Sequence, residues 1–243
     1  MISTYVMPEA RNVFNIQEQE RGRAGVPFLN WRFATKKFIT SEQTNKFLKG
    51  PGLYALWLDD TTIYVGSYLG RGKNGAYFNG NVVKDRIWTH FGAITMRGHR
   101  VHIARKSLNE LQHEFGEAHD MVAGLLRSPQ RDVLHKDNGN LAPLRRAQFA
   151  AKHWDSFSTS SPDDLLQRIG FAYTRFSELP EGMTNQQLKQ RILEEEKRLI
   201  ECIAPICNTT HARLGQNPII IDGHDMAREL SDIVAAIAGL PEL

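Results

Sequence analysis

Two short apolar runs stand out early in the chain: "GLYALWL", from Gly52 to Leu58, and "TIYVGSYL", from Thr62 to Leu69, parted by Asp59, Asp60 and Thr61. Runs this short, rich in aromatic and β-branched residues and broken by turn-forming aspartates, predict a β-hairpin. In "NVVKDRIWTHFGAI" the period changes, and Asn81 stands at a capping position ahead of a helix predicted over 82–94. "RIGFAYTRF", residues 168–176, is bounded by polar segments and predicts a third strand. The clearest helix signal is "TNQQLKQRILEEEKRLIECIAP", in which Thr184 and Gln187 have capping-box spacing and Pro205 forces the end. Residues 95–166 are polar and rich in Arg, Lys and His, with one long helical stretch around "SLNELQHEFGEAHDMVAGLLR"; they read as a basic helical insertion. Residues 1–49 form an N-terminal extension whose role the pattern leaves open. Residues 211–243 end in the amphipathic "LSDIVAAIAGL", suited to covering the core or making a subunit contact. The expected class is α+β: a small mixed sheet, the hairpin plus a third strand, flanked by helices within a main domain over 50–210.

A chain of 243 residues with 41% hydrophobic positions buries a sizeable core. Its net charge of +3 permits an acidic partner such as nucleic acid without requiring one. Cys202 and Cys207 are too few for a disulfide scaffold or a four-ligand zinc module, which points to a reducing interior. There is no signal peptide in "MISTYVMPEARN" and no apolar run long enough to span a bilayer, so the expectation is a cytoplasmic protein with no membrane partner.

Whether the hairpin phenols, Tyr54 and Tyr64, share a face depends on parity, because side chains alternate along a strand. A two-residue loop, Asp59 and Asp60, pairs Leu58 with Thr61 and puts the tyrosines on opposite faces. A three-residue loop pairs Leu58 with Thr62, sets Gly66 across from Tyr54 and puts both phenols on one face. Two tyrosines also simply suit a pleated surface.

Arg86 and His90 are four residues apart on the predicted helix and so share a face. A guanidinium clamps a phosphate and an imidazole moves a proton near neutral pH, a pairing suited to phosphodiester chemistry. Along the 185–204 helix, Leu188, Ile192, Leu199 and Ile203 define an apolar stripe. Glu196 falls near its middle, Glu195 at its edge and Glu194 almost opposite. A carboxylate on a buried face needs compensation by a cation or an arginine. Magnesium, held by one or two carboxylates, waters and substrate phosphates, is a fitting partner for Glu196.

"GRGKNG" matches G-x-G-x-x-G but leads into a poor helix start, so it makes no dinucleotide site. The same region fails as a P-loop in spacing and at Asn74. It reads as a basic lip, with Arg71 and Lys73 near phosphate. The insertion adds Arg97, Arg100, Arg105 and Lys106 as candidate DNA contacts, while its histidines show no metal-ligand spacing.

Taken in order, "GLY", "YVG", Arg-x-x-x-His on a helix, a strand, and a Glu twelve residues before Asn208 in "EKRLIECIAPICN" resemble the GIY-YIG nuclease superfamily. Leu53 and Val65 stand where its motif has isoleucines. The resemblance spans residues 50–94 and 166–210 and implies phosphodiester hydrolysis with one divalent metal, Mg²⁺. By position, Tyr54, Tyr64, Arg86, His90, Glu196 and Asn208 are the implied catalytic residues, with Glu196 the metal ligand. Tyr54 is the implied base, although the roles of the two phenols are exchangeable. Asn208 would buttress the site by hydrogen bonding, an assignment that rests on the resemblance alone. The short extensions favour a compact, site-specific restriction-type enzyme acting on double-stranded DNA. A double-strand cut then calls for a homodimer or tetramer, or successive nicks. Rival readings are a non-cleaving nucleic-acid-binding module of the same fold and a nonspecific, toxin-like DNA or RNA nuclease.

Overall fold

The computed structural model describes residues 2–18, 26–70, 77–127, 134, 139–212 and 216–239. In chain order they form β1 (Ile2–Met7), β2 (Phe14–Glu18), β3 (Trp31–Thr35), α1 (Glu42–Leu48), β4 (Gly52–Leu58) and β5 (Thr61–Tyr68). A π-turn, Val83–Ile87, leads into α2 (Trp88–Ile94), then β6 (Val101–His102), α3 (Arg105–Phe115), α4 (Asp120–Arg127) and β7 (Asn140–Leu141). The remainder comprises α5 (Leu144–Lys152), α6 (Trp154–Thr159), α7 (Pro162–Arg168), β8 (Ile169–Phe176), α8 (Asn185–Ile203) and α9 (Gly223–Ile237). Among the described residues no helix is long and apolar enough to cross a membrane. The chain divides into two compact units: Met1–Val13, Thr35–Arg86 and Leu166–Leu243 make one, and Phe14–Ala34 with Ile87–Leu165 make the other.

The first unit is built on a four-stranded sheet in the order β1-β8-β4-β5. Every pairing in it is antiparallel, which corrects the expectation of a mixed sheet. The N-terminal extension supplies the fourth strand, β1, which lies antiparallel along the outer side of β8 and covers what a three-stranded sheet would leave open. Leu53, Ala55, Trp57, Val65, Ala172 and Phe176 project from one face into the core, against the apolar stripes of α8 and α9. Along α8 these are Leu188, Ile192, Leu199, Ile200 and Ile203, the stripe that the period predicts. The same helix carries the Thr184–Gln187 capping box at its start and ends at Ala204, whose φ of 46° turns the chain ahead of Pro205.

The hairpin reconciles two readings that parity sets against each other. Its loop is only Asp59 and Asp60, both with positive φ (48° and 62°), and Leu58 pairs with Thr61. Paired positive φ values are what a tight two-residue hairpin turn demands, and aspartate tolerates them better than most residues. Arg168 donates to both carboxylate oxygens of Asp59, at 2.7 and 2.6 Å, and holds the turn. That register would put Tyr54 and Tyr64 on opposite faces, but the strands slip between Leu56 and Trp57: Trp57 pairs with Thr62 and Leu56 with Tyr64, leaving Ile63 as a bulge. One extra residue inverts the alternation beyond it, so Gly66 lies across from Tyr54 and both phenols share the face turned away from α8 and α9.

The second unit, taken by itself, has a β2–β3 pair and a short parallel β6–β7 pair among helices. α5 packs on α2 and α3, and Phe14, Phe33 and Phe91 form an aromatic cluster. The long helix expected around residues 107–127 is two helices, because Gly116 takes a φ of 82° after α3 and the chain restarts at Asp120.

Replacing Thr184 with Ala removes the hydroxyl that accepts from Gln187 N–H, while the reciprocal bond from the backbone N–H of residue 184 to Gln187 Oε1 remains, and is expected to cost about 1 kcal/mol. Urea unfolding monitored by circular dichroism checks this: the midpoint falls while the slope is unchanged.

Candidate active site

The phenol face begins with a row across the sheet: Tyr5, Tyr173, Tyr54 and Gly66 are successive cross-strand partners, with Tyr64 and Tyr68 flanking Gly66 on β5. Two of these hydroxyls are engaged by the protein itself. Tyr173 donates to the Gly50 carbonyl and is fully enclosed, so burial raises its pKa well above the ordinary phenol value. Tyr68, itself buried, donates to Asp85 Oδ2 at 2.5 Å. Tyr54 and Tyr64 meet instead, with ring centroids 6.0 Å apart and planes inclined by 35°.

Gly66 makes that meeting possible. A Cβ there would lie 2.7 Å from both Cζ and the hydroxyl oxygen of Tyr54 and 2.9 Å from Cε1 of Tyr64, closer than van der Waals contact allows. The glycine of "YVG" therefore provides the space in which two phenols converge.

β5 is an edge strand, and its outward backbone groups need partners other than a fifth strand. The segments after α8, and Glu196 on α8 between Ile192 and Leu199, supply them. Asn208, 3% exposed, accepts from the Val65 N–H at 2.9 Å and donates to the Val65 carbonyl at 2.7 Å, imitating a neighbouring strand with one side-chain amide. The Cys207 N–H donates to the Ile63 carbonyl at 2.9 Å, and Thr62 N–H donates to Ile221 O at 2.8 Å. Glu196, half-buried, accepts from Ser67 N–H at 3.0 Å and from Ser67 Oγ–H at 2.6 Å. These are charge-assisted bonds of the stronger kind, and they aim the carboxylate at the residue next to Gly66.

The π-turn brings the guanidinium. Asn81 caps it, its Oδ1 accepting from the N–H groups of Val83 and Lys84 at 3.0 and 3.2 Å. A π-turn widens the helix by one residue and recurs at functional sites. Because Tyr68 lies on the phenol face and binds Asp85, the turn is fastened over that face, with the exposed Arg86 next in sequence. His90 belongs to the second unit, on α2, where it is buried. Tyr54, Tyr64, Arg86, Glu196 and Asn208 all belong to the first unit, where Tyr54 meets Tyr64 and the Glu196 and Asn208 side chains bind the residues on either side of Gly66.

The charged candidates separate. Arg97 is no surface contact: it is 8% exposed, donates to the carbonyls of Phe157 (2.6 Å) and Ser158 (3.2 Å), and stacks on Trp31 with its guanidinium carbon 3.9 Å from the ring centroid. Burial lowers its pKa, with Glu18 opposing. Arg100, Arg105 and Lys106 are exposed on the second unit. Arg71 and Lys73 lie outside the described residues.

A cleft of about 420 Å³ runs along the outer side of α8 past Lys189, Leu193, Lys197 and His211, and Tyr54, Tyr64, Arg86, Glu196 and Asn208 are not among its lining residues. Among the described residues no cluster of three or more His, Cys, Asp or Glu side chains stands in metal-binding geometry. A magnesium site of one carboxylate, waters and substrate phosphates needs no such cluster, and a half-buried carboxylate oriented by two donors, with lone pairs remaining, suits it.

Pattern reasoning did not reach Ser67, Tyr68 or Asp85. Ser67 was detectable as a small polar residue beside the motif glycine; nothing in the sequence links Tyr68 to Asp85. Comparison with family profiles, with curated proteins and with solved structures returns no match.

Gly66→Ala is expected to push the two rings apart and lower any activity of the site by about a hundredfold, the scale of a 1 Å misplacement. Asn208→Ala leaves two enclosed backbone groups of Val65 without a partner and is expected to cost about 2 to 4 kcal/mol in denaturant unfolding.

Proposed function

We propose that the first unit is a metal-dependent endonuclease of the GIY-YIG kind that hydrolyses phosphodiester bonds of double-stranded DNA. The observation that carries this reading is the meeting of Tyr54 and Tyr64 over Gly66, with the Glu196 carboxylate fixed on the very next residue of the same strand.

Glu196 and Ser67 would hold the cation, Glu196 as ligand and Ser67 as the donor that fixes its orientation. A Mg²⁺ held by Glu196 would supply charge neutralisation at the scissile phosphate. Arg86, exposed on the fastened π-turn, meets the charge that develops on the phosphoryl oxygens. One phenol, Tyr54 in the family's pattern, would first release its own proton to solvent and, as the phenolate, take the proton of the attacking water, while the other phenol orients that water against the phosphate. Asn208 acts at one remove, by keeping the β5 edge straight at Val65. A double-strand cut needs two such sites, hence two copies or two successive nicks. An inert binding module is disfavoured because each of these positions holds a chemically competent side chain.

The test separates the structural from the chemical role of Glu196. Glu196→Gln keeps groups that can bond to Ser67 N–H and Oγ but loses the charge that holds a cation. Incubated with supercoiled plasmid and Mg²⁺, the parent protein is expected to nick or linearise the DNA, and the variant to be slower by about a thousandfold at unchanged thermal stability. Discrete fragments identify a site-specific restriction enzyme and a smear a nonspecific nuclease. Cleavage at the parent rate by Glu196→Gln contradicts the assignment.

A further inference from the structure

Residues 36–49 of the first unit, "KKFITSEQTNKFLK", contain four lysines and one glutamate, a net +3 that equals the charge of the whole chain. The segment folds as a 3-10 turn, Lys37–Thr40, followed by α1, which packs on β1 and β8. Ile39 and Leu48 are wholly buried and fix it in place. Phe38 and Phe47, 44% and 38% exposed, are thus held outward by a well-anchored backbone. Lys46 lies 5.0 Å over the Phe47 ring, and Lys36, Lys37, Lys46 and Lys49 have no ion-pair partner among the described residues.

Beside this segment is a cleft of about 180 Å³ walled by Thr40, Asn45, Lys49 and Lys84. The backbone donors at the start of the neighbouring turn are already taken by Asn81, whose own Nδ2 donates to Asn45 at 2.9 Å. Lys49 and Lys84 bring two positive charges to the cleft wall against the one negative charge of Asp85, whose carboxylate is held by Tyr68. Lys84 precedes Arg86 by two residues.

We propose that the Lys36–Lys49 segment, with this cleft, is a docking face for nucleic-acid backbone phosphates that flank the one being cut. A nucleic-acid partner follows from the nuclease reading, on which this inference rests. Its chemistry matches: four ammonium groups without an ion-pair partner among the described residues suit a chain of phosphates, and the exposed rings beside them can pack on sugars whatever the sequence.

The test measures binding of a fluorescent DNA duplex in EDTA over a salt series, for the parent and for Lys36→Gln/Lys46→Gln/Lys49→Gln, with plasmid cleavage in Mg²⁺ run on the same samples. The triple variant is expected to bind at least about tenfold more weakly at moderate salt and to lower the slope of log affinity against log salt by about 2 to 3, about 0.9 for each phosphate that is no longer neutralised. Should the triple variant unfold, each single substitution is expected to lower the slope by about 0.9. A folded variant with the parent's slope overturns the docking face, and if the parent still cuts DNA the nuclease reading survives. A parent that binds through these lysines and never cuts overturns the nuclease reading and leaves the face standing. A parent that binds no nucleic acid overturns both.

Discussion

The constraint on which the architecture turns is the open edge of β5. A sheet that ends in a buried strand must satisfy a row of backbone groups without adding another strand, since an unsatisfied group there costs as much as a lost hydrogen bond. Here the solution is side chains: an amide clamps Val65 in both directions, and a carboxylate takes the amide and hydroxyl of Ser67. The side chains that close the edge thereby come to lie one residue to either side of Gly66, where the phenols meet. The carboxylate that α8 carries between Ile192 and Leu199 is thereby compensated by two donors of the sheet edge.

The second requirement is phase. The two-residue aspartate turn is right for a tight hairpin and wrong for bringing Tyr54 and Tyr64 together, and the bulge at Ile63 reverses the alternation between turn and site. The bulged residue is also tied to the edge by Cys207. The local chemistry of the loop and the demands of the site are thus met independently, at different positions on one strand.

These features differ in how far they can be read from sequence. The position of Glu196 on α8 was legible, because helical periodicity is a strong signal over nineteen residues bounded by a capping box and a proline. The third strand was legible from composition, as a short run rich in aromatic residues between polar segments. Loop length and register were not: a bulge has no compositional mark, and the two candidate loops differ by a single threonine. The fourth strand, β1, lies far from its partner in the chain, and "ISTYVM" is too short to declare a pairing with β8. Arg97 illustrates the opposite failure. A basic residue amid other basic residues suggests a surface, whereas Trp31, remote in sequence, offers a ring on which the guanidinium stacks inside the second unit. The Tyr68–Asp85 bond was equally hidden, since it depends on how the π-turn seats on the sheet.

The most direct measurement of the central claim is the position of a bound cation. Crystals of the protein soaked in Mn²⁺, as a substitute for Mg²⁺, are expected to show an anomalous peak within coordinating distance of the Glu196 carboxylate, which keeps its bonds to Ser67 and lies on the side of Gly66. A peak elsewhere, or a carboxylate that stays closed on Ser67 with no ion at saturating Mn²⁺, would contradict the account and leave Glu196 as a purely structural closure of the sheet edge.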